Sequence, residues 1–249
     1  MSEPSSKPSS DLPRFLNAGE CALVIEYGAS VDPHVHDRVM TLNALLTEAA
    51  PNGVLETVPT YRSLMVHYDP LLLPAAVLIA AITHLHPLPT LAPRARDCWI
   101  IPVCYAADYC MDLAYVAATL KLTEERIVAL HAAATYRLYM YGFAPGLGYL
   151  GGLPPELTIS RRAEPRAKLD ANKAIIGGGQ AAITTVPMPN GWHVLGETAE
   201  TLFNPVRDPV FLMTVADDVR FEAVDALQFR VLKSRAQTGE VVARREVIR

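Results

Sequence analysis

"YMYGFAPGLGYLGGLPP" (residues 139–155) is the stretch on which the fold turns. It holds five glycines, three prolines and four aromatic residues, Tyr139, Tyr141, Phe143 and Tyr149, and no charge. Before it, apolar residues recur at helical spacing. Asp112 precedes Leu113, Val116 and Leu120, and Thr123 with Glu124 and Glu125 starts a second helix through Ile127, Leu130 and Ala134. After it, the periodicity changes. From Lys173 the chain reads "KAIIGGG", "AAITTV", "WHVLGE", "VFLMTV", "DVRFEAV" and "QFRVLK". These are short strand-like runs broken by Gly, Pro, Asn and Asp at intervals of about 10 residues. They imply a small β-barrel over residues 101–230 with a helical entry, because closure removes exposed strand edges. The opening stretch lies where helices give way to barrel. Its glycines permit φ > 0 and close backbone approach, and its aromatics offer flat contact surfaces. By residue type alone it is either a connecting loop with buried aromatics or the lining of a cleft.

Residues 12–100 read differently. "CALVIEYG" alternates, with Leu23, Ile25 and Tyr27 on one face, and stops at Gly28 as a strand entering a turn does. Asp32 and Pro33 make an N-cap and first-turn pair for a helix carrying Val35, Val39, Leu42, Leu46 and Ala49. "VLETVP" and "RSLMVHYD" supply two strands joined around Pro59 and Thr60. A helix from Pro74 and the strand "WIIPVCY" complete a β-α-β-β-α-β order, which predicts a split βαβ, ferredoxin-like domain. The fold class is therefore α+β. Residues 1–11, "MSEPSSKPSSD", are expected to be a disordered leader. The mixed-charge tail, 231–249, has no assigned place.

Composition excludes several functions. Of 249 residues, 51% are hydrophobic and 19% charged, which suits one large or two modest domains with a real core. A net charge of -4 lacks the basic footprint that phosphate-backbone binding requires, so nucleic acid is not an expected partner. Cys21, Cys98, Cys104 and Cys110 form no CxxC pair, and the start shows no apolar secretory region, so a cytoplasmic chain is expected. The run "LLLPAAVLIAAITHL" is broken by Pro74 and falls short of the ~20 residues a membrane span needs.

Candidate chemistry is concentrated in two places. "RRAEPRAK" groups Arg161, Arg162, Arg166 and Lys168, whose planar guanidinium forks suit a phosphate or carboxylate, although a solvated charged loop has the same composition. "GGGQ" (177–180) could turn backbone amides toward an anion, but it lacks the ending of a P-loop and does not fit the dinucleotide fingerprint. His34 and His36 do not share a helical face, which argues against a metal pair. His131 falls on the apolar side of its helix, as a core or a catalytic histidine would. Cys104, inside an apolar strand, reads as core.

The segments "VPTYRSLMVHYDP", "LHAAATYRLYMYGFAPGLGYLGGLP", "RRAEPRAK", "GGGQ" and "GWHVLGET…LFNP" resemble, in order and spacing, a family from Glu20 to Glu222. That family is variously called allophanate hydrolase subunit 1, KipI-like protein, or the B subunit of bacterial 5-oxoprolinase. The resemblance implies a small α/β domain followed by a cyclophilin-like β-barrel, as in the carboxyltransferase-like module of urea carboxylase. It implies a component that works with two partners, a C subunit similar to allophanate hydrolase subunit 2 and a LamB/YcsF-like A subunit. The complex would hold ATP with Mg and open 5-oxo-L-proline to L-glutamate, phosphorylation making the lactam attackable by water. No biotinyl site is present on this chain. Carried over by position, Arg166, Gln180 and Arg162 would be catalytic. Arg161, Gly177, Gly178 and Gly179 would bind phosphate or substrate, and Phe143, Pro145, Tyr149 and Trp192 would form an apolar wall. The same family also implies two alternatives: a KipI-like inhibitor of a sensor histidine kinase, or an allophanate- or urea-type amide hydrolase subunit. Departures from the family pattern stand at Ala106, Ala107 and Cys110, at Asp170–Lys173, at Ala181 and Ala182, and at Glu197 in place of an arginine. Lost backbone freedom and one reversed charge point to altered chemistry there.

Overall fold

A computed structural model describes residues 12–89 and 96–248, and the leader read at 1–11 lies outside the described residues. The chain divides into two units at residues 94 and 95. The first contains strands β1 (Arg14–Asn17) and β2 (Ala22–Glu26), helix α1 (Pro33–Ala49), strands β3 (Val54–Pro59) and β4 (Ser63–Tyr68), and helix α2 (Ala75–His84). Helix α1 starts where the sequence predicts. The Asp32 carboxylate accepts from the His34 and Val35 amides, and Pro33 pre-sets the first turn. Its buried Val39, Leu42 and Leu46 join Leu23, Ile25, Leu64 and Val66 of the sheet in one core.

The sheet order is β1-β2-β4-β3, with every neighbouring pair antiparallel. Strands β2 and β3 are thus parallel to each other with β4 between them, which is the split βαβ arrangement. The strand flanking β2 corrects the sequence reading. It is β1, from the start of the unit, and not "WIIPVCY". Four residues of mixed polarity, RFLN, carry no readable alternation, and backbone pairing with β2 makes them a strand.

The second unit contains β5 (Arg96–Cys104), α3 (Leu113–Leu120), α4 (Glu124–Ala133), β6 (Tyr136–Tyr141), β7 (Gly148–Gly151), β8 (Arg166–Leu169), β9 (Lys173–Gly177), β10 (Gln180–Ile183), β11 (Met188–Asn190), β12 (His193–Thr198), β13 (Asp218–Val224), α5 (Ala226–Gln237) and β14 (Arg244–Ile248). Seven strands follow one another as β12-β9-β10-β7-β6-β13-β5, and the pairs Glu197 with Cys104 and Thr198 with Val103 close the barrel. Strand β14 lies along the first half of β5, while β8 and β11 form a separate two-stranded ribbon.

"WIIPVCY" is therefore the spine of this unit. It runs parallel to β13 from Cys98 with Asp218 to Cys104 with Val224. Its unbroken burial from Cys98 to Cys104 is what a strand covered on both faces needs. Trp99, Ile101 and Val103 fill the barrel, and Cys104 packs outside it with Phe229 and Val242.

Two other readings change. "QFRVLK" is helical: Asp225 caps the Leu227 and Gln228 amides and the Gln228 side chain returns a bond to the Asp225 amide, a complete capping box. "VFLMTV" forms no strand beyond a bridge between Phe203 and Phe211. The Asp217 carboxylate accepts from the Thr214 amide at 2.8 Å and from Trp99 Nε1 at 3.2 Å, curling that segment into a turn. The tail acquires a place as the end of α5 and as β14. His131 is fully buried, with Nδ1 2.7 Å from the Tyr105 hydroxyl and its ring stacked 4.4 Å from Phe221.

Candidate functional site

The stretch quoted first folds as the β6–β7 hairpin, and its turn borders a cavity of about 210 Å³ within the second unit. Tyr149 on β7 and Trp192 just before β12 meet edge to face, ring centroids 5.9 Å apart. Leu147, Ile175, Ala182 and Met188 complete the apolar wall. Trp192 is held at both backbone ends: its amide donates to Asn190 Oδ1 at 3.1 Å, and its carbonyl accepts from Asn190 Nδ2 at 2.8 Å. Phe143 also lines the cavity. It is 70% exposed and has φ +68, a left-handed conformation that bulky residues rarely adopt.

The glycine run acts indirectly. A Cβ on Gly177 would lie 2.7 Å from Trp192 Cγ, so the bare backbone makes room for the indole. Gly178 and Gly179, at φ +61 and +79, turn the chain from β9 into β10, and the Gly178 amide is engaged by the Ile159 carbonyl at 2.8 Å. None of Gly177, Gly178, Gly179 and Gln180 lines the cavity. Pro145 does not line it either; its carbonyl accepts from the Thr185 hydroxyl.

The arginines divide. Arg161 and Arg162 line the cavity and Arg166 does not. Arg166 Nη2 donates to Asp112 Oδ1 at 2.6 Å, and Arg162 Nη1 donates to the same oxygen at 3.0 Å. The other carboxylate oxygen, Asp112 Oδ2, accepts from the Val194 amide at 2.7 Å. Arg162 is tied further by its Nε, which donates to the Glu164 carbonyl, and by its amide, which donates to the Gly191 carbonyl. Arg161 is exposed and has no partner among the described residues.

Sequence reasoning missed Asp112. Its position before α3 reads as a cap, yet its side chain makes no capping bond and is instead almost fully buried beneath two guanidinium groups. The available signal was the arginine cluster itself, since buried or half-buried cations need a counter-charge. Glu197, the reversed charge, sits away from the cavity lining. Burial raises its pKa, but the bonds from Lys173 and Lys233 prevail and hold the carboxyl below its usual range. Two of the departures, Lys173 and Glu197, thus neutralise each other. Among the described residues there is no cluster of three or more His, Cys, Asp or Glu suited to a metal, and no helix long and apolar enough to cross a membrane.

Comparison with known proteins agrees with this architecture. Residues 13–213 match the family described as carboxyltransferase domain, subdomain C and D. A protein named as the B subunit of 5-oxoprolinase from Escherichia coli O157:H7 is 36% identical over 207 residues, covering 82% of this chain and 92% of that one. One of the same name from Bacillus subtilis is 29% identical over 237 residues, covering 88% and 95%. The crystal structure of TTHA0988 shares 32% identity with a TM-score of 0.73 over 82% of this chain, which spans only 40% of that longer protein. Kluyveromyces lactis urea carboxylase, at 17% identity, shares the fold with a TM-score of 0.81 over 97% of this chain and 24% of its own. With four-fifths of its length matched, the chain belongs to the carboxyltransferase subdomain C and D family, together with the 5-oxoprolinase B subunits.

Proposed function

We propose that this chain is one component of a 5-oxoprolinase-type complex, in which its cavity seats 5-oxo-L-proline for ATP-dependent opening to L-glutamate. The observation that carries this reading is the pairing of a small apolar chamber, walled by Trp192 and Tyr149, with guanidinium groups on its lining. A five-membered lactam presents a compact apolar ring and one carboxylate. The ring suits the aromatic wall, and Arg161 and Arg162 suit the carboxylate. The role of this chain is then to bind, to orient the ring and to exclude water from its apolar face.

The nucleotide does not fit the same chamber. At about 210 Å³ the chamber lies below the roughly 300–1,000 Å³ of pockets that hold drug-sized ligands. In this reading ATP and its metal are held by the complex as a whole, whose other members are the LamB/YcsF-like protein and the one similar to allophanate hydrolase subunit 2.

The test is reconstitution of this chain with those two companion proteins from the same genome. The expected result is glutamate release from 5-oxo-L-proline that requires ATP and all chains. Arg161→Gln is expected to lower kcat/KM about ten- to a hundredfold, the loss of one charge-assisted bond. A reconstituted complex that hydrolyses ATP without consuming 5-oxo-L-proline, while turning over another amide, would replace the substrate assignment.

A further inference from the structure

We propose that Asp112 is a positioning residue that builds, from Arg162 and Arg161, a two-guanidinium clamp for an oxyanion at the cavity. This rests on reading the cavity as a ligand site. Arg162 has three side-chain nitrogens, and two are spoken for: Nη1 by Asp112 Oδ1 at 3.0 Å and Nε by the Glu164 carbonyl at 3.3 Å. Its Nη2 is left uncommitted on a side chain that lines the cavity. Arg161, beside it in sequence and on the same lining, has no partner among the described residues.

Asp112 is built to hold this arrangement. Its carboxylate is enclosed and uses one oxygen for both Arg162 and Arg166 while the other receives the Val194 amide, and its own amide donates to the Val194 carbonyl. The residue is thus locked to β12 on one side and to the arginine segment on the other. A guanidinium held at Nη1 and Nε keeps its planar geometry, so less rotamer freedom is lost when the remaining Nη2 meets an anion. The count of charges points the same way. One carboxylate against Arg162 and Arg166 leaves a single positive charge, to which Arg161 adds a second. An oxyanion is the complementary ligand, whether a carboxylate or a phosphoryl group.

The full-length chain is first modified with phenylglyoxal, which attacks free guanidinium groups, and the modified arginines are mapped by mass spectrometry. Arg161 should react about tenfold faster than Arg162 and Arg166, and in Asp112→Asn the rate at Arg162 should rise toward that of Arg161. Equal rates at Arg161 and Arg162 in the unmodified sequence would overturn the proposal without any variant. Binding is then read from tryptophan fluorescence, with 5-oxo-L-proline and inorganic phosphate as separate probes. Asp112→Asn should weaken the bound probe about tenfold, yet leave affinity unchanged when Arg162 is already Gln, because it acts through that residue. An equal loss in both backgrounds would mean that Asp112 merely supports the fold. The expected footprint with no binding of either probe would keep the hold on Arg162 but overturn the clamp and the ligand reading beneath it. Which probe binds separates a carboxylate site from a phosphoryl site.

Discussion

Gly152→Ala should lower the melting temperature of the protein by about 10 °C. Gly152 follows β7 with φ +100, and a Cβ there would stand 2.8 Å from the Thr135 carbonyl oxygen and 3.4 Å from Tyr136 Cα. Both atoms are backbone at the start of β6, which is paired on one side with β7 and on the other with β13, so neither can yield cheaply. Backbone strain costs about 1–3 kcal/mol and the clash adds to it. At about 2–4 °C per kcal/mol for a chain of this size, a total near 4 kcal/mol gives the stated shift. Gly178→Ala is the control, because Gly178 has φ +61 but nothing within 4 Å of its Cβ. Only about 1 kcal/mol is expected there. Thermal melts of the two variants side by side check the claim, and equal shifts would show that the contact with Thr135 carries no weight.

Acid should destabilise the protein through one residue before its carboxylates respond. Burial pushes His131 down from 6.5 to about 3, so the folded imidazole stays neutral where the unfolded one gains a proton. Its stabilising contribution is complete above pH 6.5 and is lost as pH falls toward 3. The unfolded chain binds one more proton over that window, so unfolding free energy drops by about 1.4 kcal/mol per pH unit on this account. Glu197, held low by its lysines, has the same sign but acts only below 4.5. Glu200, raised by burial, opposes the trend above 4.5. Comparison with His131→Gln removes both, since they are common to the two proteins. Urea unfolding from pH 7 to pH 5 should give a slope steeper by about one proton in the unaltered chain. Parallel curves would mean that His131 titrates normally inside the fold.

The parts of this structure that local chemistry determines were legible. Asp32 with Pro33 specified the start of α1, Thr123 with the two glutamates specified α4, and the apolar runs bounded by Gly or Asp specified β9, β10 and β13. The aromatic wall came from the family resemblance and not from residue type, which left loop and cleft open; of the four residues carried over, Phe143, Tyr149 and Trp192 line the cavity and Pro145 does not. What local pattern does not encode is partnership across the chain. Strand β5 reads as an ordinary apolar strand, and nothing in it names β13, some 120 residues on, as its parallel neighbour. Asp112 reads as a cap because capping is the commonest task for an aspartate before a helix, while its actual partners lie 50 and 54 residues away. "QFRVLK" misled for a different reason. Its apolar residues fit either period over six positions, and only Asp225 before the run, paired with Gln228 at its start, decides for the helix.

The origin of β1 has a consequence for how this sequence can be handled. Because the outer neighbour of β2 comes from the beginning of the unit, all four strands and both helices of the first sheet are encoded without interruption between residues 12 and 89. A βαββαβ chain completed by β5 would have shared that strand with the barrel, and neither part could have been cut away intact. Here every strand pairing of the first sheet lies among residues 12–89, so a gene divided after the codon for residue 89 is expected to yield an upstream piece that keeps the whole sheet.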